Sequence, residues 1–140
     1  MSSSFVLTIR PDLDEIAGIS TALEEVMKTH SFGEEEILDT QLAVEEAITN
    51  VIVHGYEGRE GEIVITCRAT KGTVEIQIED TAPPFDPLSL PEPDLTASVD
   101  DRKIGGLGIF LIRQVMDNIA YRHEDNKNIL ILVKRRPADS

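Results

Sequence analysis

EEAITNVIVHGY, at residues 45–56, is the segment from which the rest of the chain can be interpreted. Glu46 and Asn50 are four residues apart, so a helix would place both side chains on one face. An amide oxygen is a hard ligand that suits Mg²⁺, and a neighbouring carboxylate can accept a proton. Taken alone, the same pair more often belongs to a solvated helix face. Support for a binding site must therefore come from other parts of the chain.

A helix is predicted to carry this segment. Ser31 and Glu34 have the spacing of a capping box, in which two side chains satisfy early backbone N–H groups. Gly55 is well placed to end the helix. Upstream, residues 12–29 show helical spacing of apolar residues, and residues 4–9 form a short apolar strand. The predicted apolar face of the central helix consists of Leu38, Leu42, Ala43, Ala47, Ile48, Val51 and Ile52.

Downstream of this helix, the spacing of apolar residues changes from the helical period to the two-residue period of β-strands. Residues 62–69 and 73–79 alternate between apolar and polar side chains, and Lys71-Gly72 between them is typical of a tight turn. These two segments are therefore predicted to form an antiparallel hairpin. The remaining predicted elements are a helix over residues 109–116 and two closing strands over residues 118–123 and 128–134.

The order of these elements predicts an α+β fold. We expect a two-layer α/β sandwich with a mixed, mostly antiparallel sheet and helices on one face. A single domain over residues 1–140 is predicted. Residues 81–104 are rich in proline and lack clear periodicity, and such a long loop in a compact domain is usually a functional lid or a disordered segment. We therefore predict a lid over residues 86–104.

The bulk composition excludes several classes of function. The formal net charge of −13 argues against duplex nucleic acid or an anionic membrane surface as the main partner, since both favour a basic footprint. No stretch approaches the ~20 apolar residues that span a bilayer, and the N-terminus lacks the features of a signal peptide. A cytoplasmic location is therefore expected. The lone Cys67 lies in an alternating apolar run, which favours a small core residue over a nucleophile.

Two further segments carry candidate chemistry. Asp80 lies where a predicted strand breaks into the loop, and its carboxylate could accept a hydrogen bond from an exocyclic amine such as adenine N6. Alternatively, Asp80 could end the strand through local backbone bonds. Residues 105–108, GGLG, lie at a predicted helix start, where glycines let the backbone approach phosphate. A flexible hinge is the alternative interpretation of that cluster.

In this order, the three segments resemble the N, G1 and G2 boxes of the GHKL ATPase superfamily, whose ATP site is the Bergerat fold. Three sequences indicate a more specific family within this superfamily: the EEAITNVIVHGY string, PPFDP at residues 83–87 and GGLGI at residues 105–109. They are similar to the RsbW-like anti-sigma factor serine/threonine kinases. The resemblance extends over roughly residues 5–133, and the N-box string is its most specific part.

This resemblance implies a role for each matched residue. Glu46 corresponds to the general base that takes a proton from the substrate hydroxyl. Asn50 corresponds to the Mg²⁺ ligand, and Asp80 corresponds to the aspartate that recognises adenine. The nucleotide-binding glycine loop corresponds to Gly105, Gly106, Leu107 and Gly108, and charge and position add Arg102 and Lys103 as candidate phosphate contacts.

The resemblance also implies cofactors and partners. ATP and Mg²⁺ would be bound, a STAS-domain anti-anti-sigma protein would be phosphorylated, and a sigma factor would be a second partner. A homodimer is also implied. A nucleotide-gated binding regulator without kinase activity is the alternative function. A detached histidine-kinase ATPase domain is disfavoured because only about 45 residues precede the N-box segment, too few for a helical dimerisation hairpin.

Two residues qualify this comparison. Ala82 stands two residues after Asp80, where the family usually has glycine, and its methyl group could crowd the nucleotide. His54 invites interpretation as a phospho-acceptor, but we expect it to be a helix-end residue packed near the site. We therefore expect Ala82 to affect the ATP affinity of the chain.

Overall fold

The computed structural model of this protein describes residues 2–84 and 106–137. The predicted lid over residues 86–104 lies outside these ranges, as do the candidate phosphate contacts Arg102, Lys103 and Gly105. Within the described ranges, none of the helices combines the length and apolarity required to cross a bilayer.

The strands and helices of the described chain follow one another in the predicted order. A 3₁₀ turn (Leu13–Glu15) leads into the first helix, and a π-helical turn (Val51–Tyr56) continues the second. The principal elements are β1 (Ser3–Ile9), α1 (Ile16–Thr29), α2 (Glu34–Asn50), β2 (Ile63–Ala69), β3 (Thr73–Asp80), α3 (Gly106–Val115), β4 (Asn118–Glu124) and β5 (Lys127–Arg135).

The strands form one five-stranded sheet in the order β1-β2-β3-β5-β4. The α+β prediction is confirmed, and the predicted strands agree with the structure to within two residues. The sheet differs from the expected mixed type, because every pairing between the described strands is antiparallel. Part of the reason is that β2–β3 and β4–β5 are each joined by a tight turn, and such a turn can join only antiparallel neighbours. Asp125 and Asn126 make the second turn with positive φ angles of 54° and 63°.

One face of the sheet packs against the helices and forms the core. Side chains alternate along β2 and β3, so Ile65 and Ile78 point inward, whereas Arg68 and Glu75 point to solvent. Cys67 belongs to the inward set and is fully buried, as the alternating pattern predicted. The helices contribute aliphatic side chains to the same core, among them Ile19, Leu23, Met27, Ile48 and Ile112.

The predicted capping box at the start of α2 is wrong. Ser31 has a left-handed backbone with φ 64°, and the helix begins at Glu34 after Gly33. The carboxylate of Glu36 accepts a hydrogen bond of 3.0 Å from the N–H of Gly33. The Phe32 side chain, between Ser31 and the start of the helix, is buried in the core.

The end of α2 also differs from the prediction. Gly55 does not end the helix, because the π-helical turn runs on to Tyr56. Glu57 then adopts a left-handed conformation with φ 52°, which breaks the helix. The Arg59 guanidinium donates hydrogen bonds to the carbonyls of Gly55 and Tyr56, at 3.0 and 2.8 Å. The Arg59 side chain, which follows the helix along the chain, therefore satisfies two terminal carbonyls that lack the partner a further helical turn would supply.

The buried face of α2 is rotated relative to the predicted apolar face. Leu38 is 64% exposed, whereas Ile37, Thr40 and Val44 are buried. The hydroxyl of Thr40 donates to the carbonyl of Glu36, which satisfies this polar group inside the core. The face that a helix buries depends on its neighbours, and the apolar pattern of α2 alone did not define it sharply enough.

Candidate functional site

A pocket opens between the C-terminal half of α2, the start of α3 and one end of the sheet. It combines apolar walls with a few polar side chains, a composition typical of small-molecule sites. Asn50, Asp80 and Asn128 supply the polar side chains of the base and walls. The other lining residues are Ala47, Val51, Gly55, Ile78, Ala82, Pro83, Ile109, Tyr121 and Leu130.

Asn50 is the last residue of α2 and carries an unsatisfied polar group. Its side-chain nitrogen is buried and has no hydrogen-bond partner in the part of the chain that the structure describes. A buried unpaired amide is destabilising by about 1–3 kcal/mol. Rotation of the amide about the Cβ–Cγ bond exchanges nitrogen and oxygen, so this position can donate to a phosphate oxygen or offer an oxygen to a hard cation. The residue therefore fits the predicted Mg²⁺ site chemically.

Glu46 lies one helical turn before Asn50 and is half-buried. Its carboxylate makes no hydrogen bond to any of residues 2–84 or 106–137. It lies against Gly108 of α3, where an added Cβ would approach Glu46 Oε2 to 2.8 Å and Asn50 Nδ2 to 3.6 Å. Because residue 108 has no side chain, the start of α3 can lie directly over both polar groups. The structure thus brings the N-box and G2-box segments together.

The adjacent Glu45 has a different environment. Its carboxylate accepts a hydrogen bond of 2.9 Å from the Ser20 hydroxyl on α1. The carbonyl of Ser20 in turn accepts a hydrogen bond of 2.9 Å from the Gln41 side chain. Glu45 therefore joins α1 to α2, whereas no donor in the described part of the chain holds the carboxylate of Glu46.

Asp80 ends β3 and is only 6% exposed. Its Oδ1 accepts hydrogen bonds from the N–H of Ala82 at 3.0 Å and from the Asn128 amide at 2.8 Å. Burial raises the pKa of Asp80, and these two hydrogen bonds together with nearby His123 oppose the rise without cancelling it. Oδ2 makes no hydrogen bond within the described residues, so it can accept one from a ligand.

The methyl group of Ala82 lies at the wall of the pocket. Ala82 is 5% exposed, and a Cβ added at Gly55 would lie 3.2 Å from the Ala82 Cβ. The methyl group therefore faces residue 55, which has no side chain to oppose it. The glycine at position 55 makes room for the alanine at the position where the family usually has glycine.

Two pocket residues were missed by the sequence analysis. Asn128 is buried at the start of β5, and the strand register places it directly beside Asp80. Tyr121 on β4 donates a hydrogen bond of 2.5 Å to the Asn128 side-chain oxygen. A single polar residue at the start of the apolar run NILILV was the available signal for Asn128. Nothing in the sequence distinguished Tyr121.

The other candidate residues lie in several environments. Gly106 and Leu107 form the first turn of α3, next to Gly108. His54 is exposed on the π-helical turn and does not line the pocket, so the expected packing against the site is absent. Burial raises the pKa of the Cys67 thiol to about 12, which makes it unreactive at neutral pH.

A family model described as a histidine kinase-like ATPase domain matches residues 9–134. The chain belongs to this family. Membership identifies it as an ATP-binding protein, in agreement with the prediction from the three motifs. The match includes every described residue of the pocket, from Ala47 to Leu130.

Curated relatives place the chain beside the RsbW kinases. It is 29% identical over 120 residues to serine-protein kinase RsbW of Bacillus thuringiensis (strain Al Hakam), and the match covers 83% of this chain and 75% of that protein. Serine-protein kinase RsbW of Bacillus cereus (strain 03BB102) matches with the same identity and coverage. The predicted resemblance to RsbW-like kinases of the GHKL superfamily is confirmed by these relatives and the family match.

A solved structure has a similar fold. The crystal structure of the RsbU and RsbW domains of a Mycobacterium tuberculosis protein aligns with a TM-score of 0.67 and 17% sequence identity. The alignment covers 97% of this chain and 34% of that chain. At this identity the likeness supports the fold, and the assignment of function depends on the site.

Proposed function

We propose that this chain is an ATP-dependent serine/threonine protein kinase and anti-sigma factor that phosphorylates a STAS-domain anti-anti-sigma protein in the cytoplasm. The observation that carries the proposal is that the Glu46 carboxylate and the Asn50 side-chain nitrogen, both next to Gly108, have no hydrogen-bond partner among the described residues and lie by an apolar pocket that contains Asp80. The family and the RsbW relatives support the same activity.

The pocket supplies a site for the base of ATP. Apolar side chains such as Ile78 and Leu130 can bury the faces of a purine. The unpaired Oδ2 of Asp80 can accept a hydrogen bond from the exocyclic amine. This polar contact in an apolar pocket would fix the orientation of the base, so that the phosphates extend toward Asn50 and α3.

The phosphate side of the proposal depends on Asn50 and the glycine loop. Asn50 would hold Mg²⁺, which when bound neutralises charge on the phosphate oxygens. Gly106, Leu107 and Gly108 at the start of α3 would present backbone N–H groups to the phosphates. We extend this part of the site to Gly105, Arg102 and Lys103, and propose residues 86–104 as a lid in a single domain over residues 1–140.

Glu46 would act as the general base. As the serine or threonine oxygen of the partner attacks the γ-phosphorus, the proton of that hydroxyl passes to the Glu46 carboxylate. The bond between the γ-phosphorus and the bridging oxygen of ADP breaks, so the products are a phosphorylated partner and ADP. No donor among residues 2–84 and 106–137 occupies the Glu46 carboxylate, which supports its oxygens as acceptors for this proton.

The test is phosphoryl transfer from radiolabelled ATP to a STAS-domain protein, with and without a sigma factor as competitor. Label on a serine or threonine of the STAS protein supports the kinase. Binding of ATP without transfer to any STAS partner, together with ATP-dependent binding of a sigma factor, would favour the nucleotide-gated regulator. Sedimentation of the same sample tests the proposed homodimer.

A further inference from the structure

We propose that Asn128 and Tyr121 are positioning residues that aim the free oxygen of Asp80 at the base and thereby set the preference for a purine with an exocyclic amine. The inference rests on the proposed function, because it places the adenine of ATP in this pocket. It assigns a role to the two pocket residues that none of the sequence motifs includes.

The Asn128 side chain is the centre of a buried hydrogen-bond network. Its NH₂ group lies 2.8 Å from Asp80 Oδ1, 2.9 Å from the carbonyl of Ala82 and 3.4 Å from the carbonyl of Pro83. All three partners are acceptors. The amide therefore connects the carboxylate at the end of β3 to the backbone of the pocket wall that follows it.

Tyr121 fixes the orientation of this amide from the other side. Its hydroxyl donates to the Asn128 oxygen. A flipped amide would turn its oxygen toward the three acceptors of Asp80, Ala82 and Pro83, and oxygens facing one another in a buried site repel. The two ends of the network thus specify one orientation of the Asn128 amide.

As a consequence, the two carboxylate oxygens of Asp80 have different roles. Oδ1 is occupied by the Asn128 amide and by the N–H of Ala82. Oδ2 accepts no hydrogen bond from residues 2–84 or 106–137, and it is the oxygen left for a ligand. An ionised carboxylate can only accept hydrogen bonds, so this oxygen favours a base that presents an amine over one that presents a carbonyl. Both Asp80 and Asn128 are 6% exposed, so water competes weakly for this contact.

The experiment compares two triphosphates that differ only in the exocyclic amine. Binding of ATP and of purine riboside triphosphate, which lacks the 6-amino group, is measured by calorimetry for the wild type, Tyr121→Phe and Asn128→Ser. A hydrogen bond to a charged group corresponds to about 10–100-fold in affinity, so the wild type should prefer ATP by about that factor. In both variants this preference should fall by about tenfold or more, because the Asn128 amide is removed or no longer held in one orientation and only the N–H of Ala82 still holds the Asp80 carboxylate.

The matched control is Tyr56→Phe. The Tyr56 hydroxyl donates to the carbonyl of Glu62 at 2.6 Å and accepts from the N–H of Thr81 at 3.0 Å, so it is a second buried phenol next to the end of β3. It makes no hydrogen bond to Asp80. Tyr56→Phe should lower the melting temperature and keep the wild-type preference for ATP. General loosening of the fold would lower the preference in this variant as well.

The outcomes separate this inference from the proposed function. A wild type that binds no ATP would overturn both. A wild type that binds ATP, with the same preference in Tyr121→Phe and Asn128→Ser, would overturn only the positioning role. The inference is also overturned if Tyr56→Phe reduces the preference as much as Tyr121→Phe does.

Discussion

The two ends of the pocket are prepared for a ligand in opposite ways. At the base end, the Asp80 carboxylate is held by Asn128 and the N–H of Ala82, so one oxygen is already fixed. At the phosphate end, Glu46 accepts no hydrogen bond within residues 2–84 and 106–137, and the nitrogen of Asn50 is buried without a partner there. Among the described residues, the end that would bind the adenine base is already organised by hydrogen bonds, whereas the phosphate end keeps polar groups without a partner.

This difference has a physical rationale. Recognition of a base benefits from a rigid site, because little ordering free energy is spent when the ligand arrives. A proton acceptor benefits from a carboxylate that is not already satisfied, since a donor from the protein would compete with the substrate hydroxyl. Variants at the two ends should therefore affect different measured quantities.

The largest expected effect is on phosphoryl transfer at the phosphate end. Glu46→Gln keeps the size of the side chain and removes its basicity, so transfer to the STAS partner should fall by about 10²–10⁴-fold while ATP binding is retained. Glu45→Gln is the matched control, because this carboxylate lies about 100° away around the helix and accepts from Ser20 instead. Equal rates for the wild type and Glu46→Gln, or a larger loss in Glu45→Gln, would contradict the role of Glu46 as the general base.

At the phosphate end of the pocket, Asn50→Leu should weaken ATP binding without lowering the stability of the protein. Loss of the amide should weaken Mg²⁺-dependent ATP binding by about 100-fold, because both a ligand to the cation and a charge-assisted contact disappear. The nucleotide-free variant should unfold at the same or higher urea concentration than the wild type, since an unpaired buried amide is removed. Calorimetry with and without Mg²⁺ and urea denaturation measure the two effects. Equal ATP affinity with and without Mg²⁺ in the wild type would exclude this role for Asn50.

Asp80→Asn tests the base end and has a pH signature. ATP affinity should fall about tenfold, because a charged acceptor becomes a neutral amide. Burial raises the pKa of Asp80, so the folded protein holds this proton more tightly than the unfolded chain. The contribution of Asp80 to stability is therefore fully present below about pH 4, the ordinary pKa of an aspartate, and is lost as pH rises through the raised pKa.

Relative to the wild type, Asp80→Asn should thus become more stable as the pH rises from acid to neutral. Urea denaturation across this range measures the difference in unfolding free energy. Glu75→Gln, which removes an exposed carboxylate from the same strand, serves as the control variant. A difference for Asp80→Asn that shrinks with rising pH would contradict the assignment.

The smallest expected effect concerns the wall between the two ends. In Gly55→Ala, the added methyl would lie 3.2 Å from the Ala82 methyl, so the protein should lose about 1 kcal/mol of stability and bind ATP a few-fold more weakly. Adding Ala82→Gly should restore both, because the second change removes the opposing methyl. If the double variant is no better than Gly55→Ala in calorimetry and thermal unfolding, the two residues do not form a steric pair.

Sequence patterns predicted the phosphate end better than the base end. Glu46 and Asn50 share one helix, so their spacing was enough to place them on a common face. Asp80 was identified from its position after a strand. Its partner Asn128 is distant along the chain, and the two are adjacent only because β3 and β5 pair in this register. No local pattern could supply that pairing.

The sequence by itself determined the local properties of this protein: the alternation of its strands, the amphipathic helices, the turns between consecutive strands and the three motifs. Each depends on residues that are close along the chain, where steric and hydrogen-bonding preferences act directly. Only the tertiary structure decided that Ile37 rather than Leu38 is buried, that Arg59 caps the π-helical turn and that Tyr121 orients Asn128. These features arise from packing between distant segments, where the environment of a side chain is set by neighbours that its own sequence does not specify.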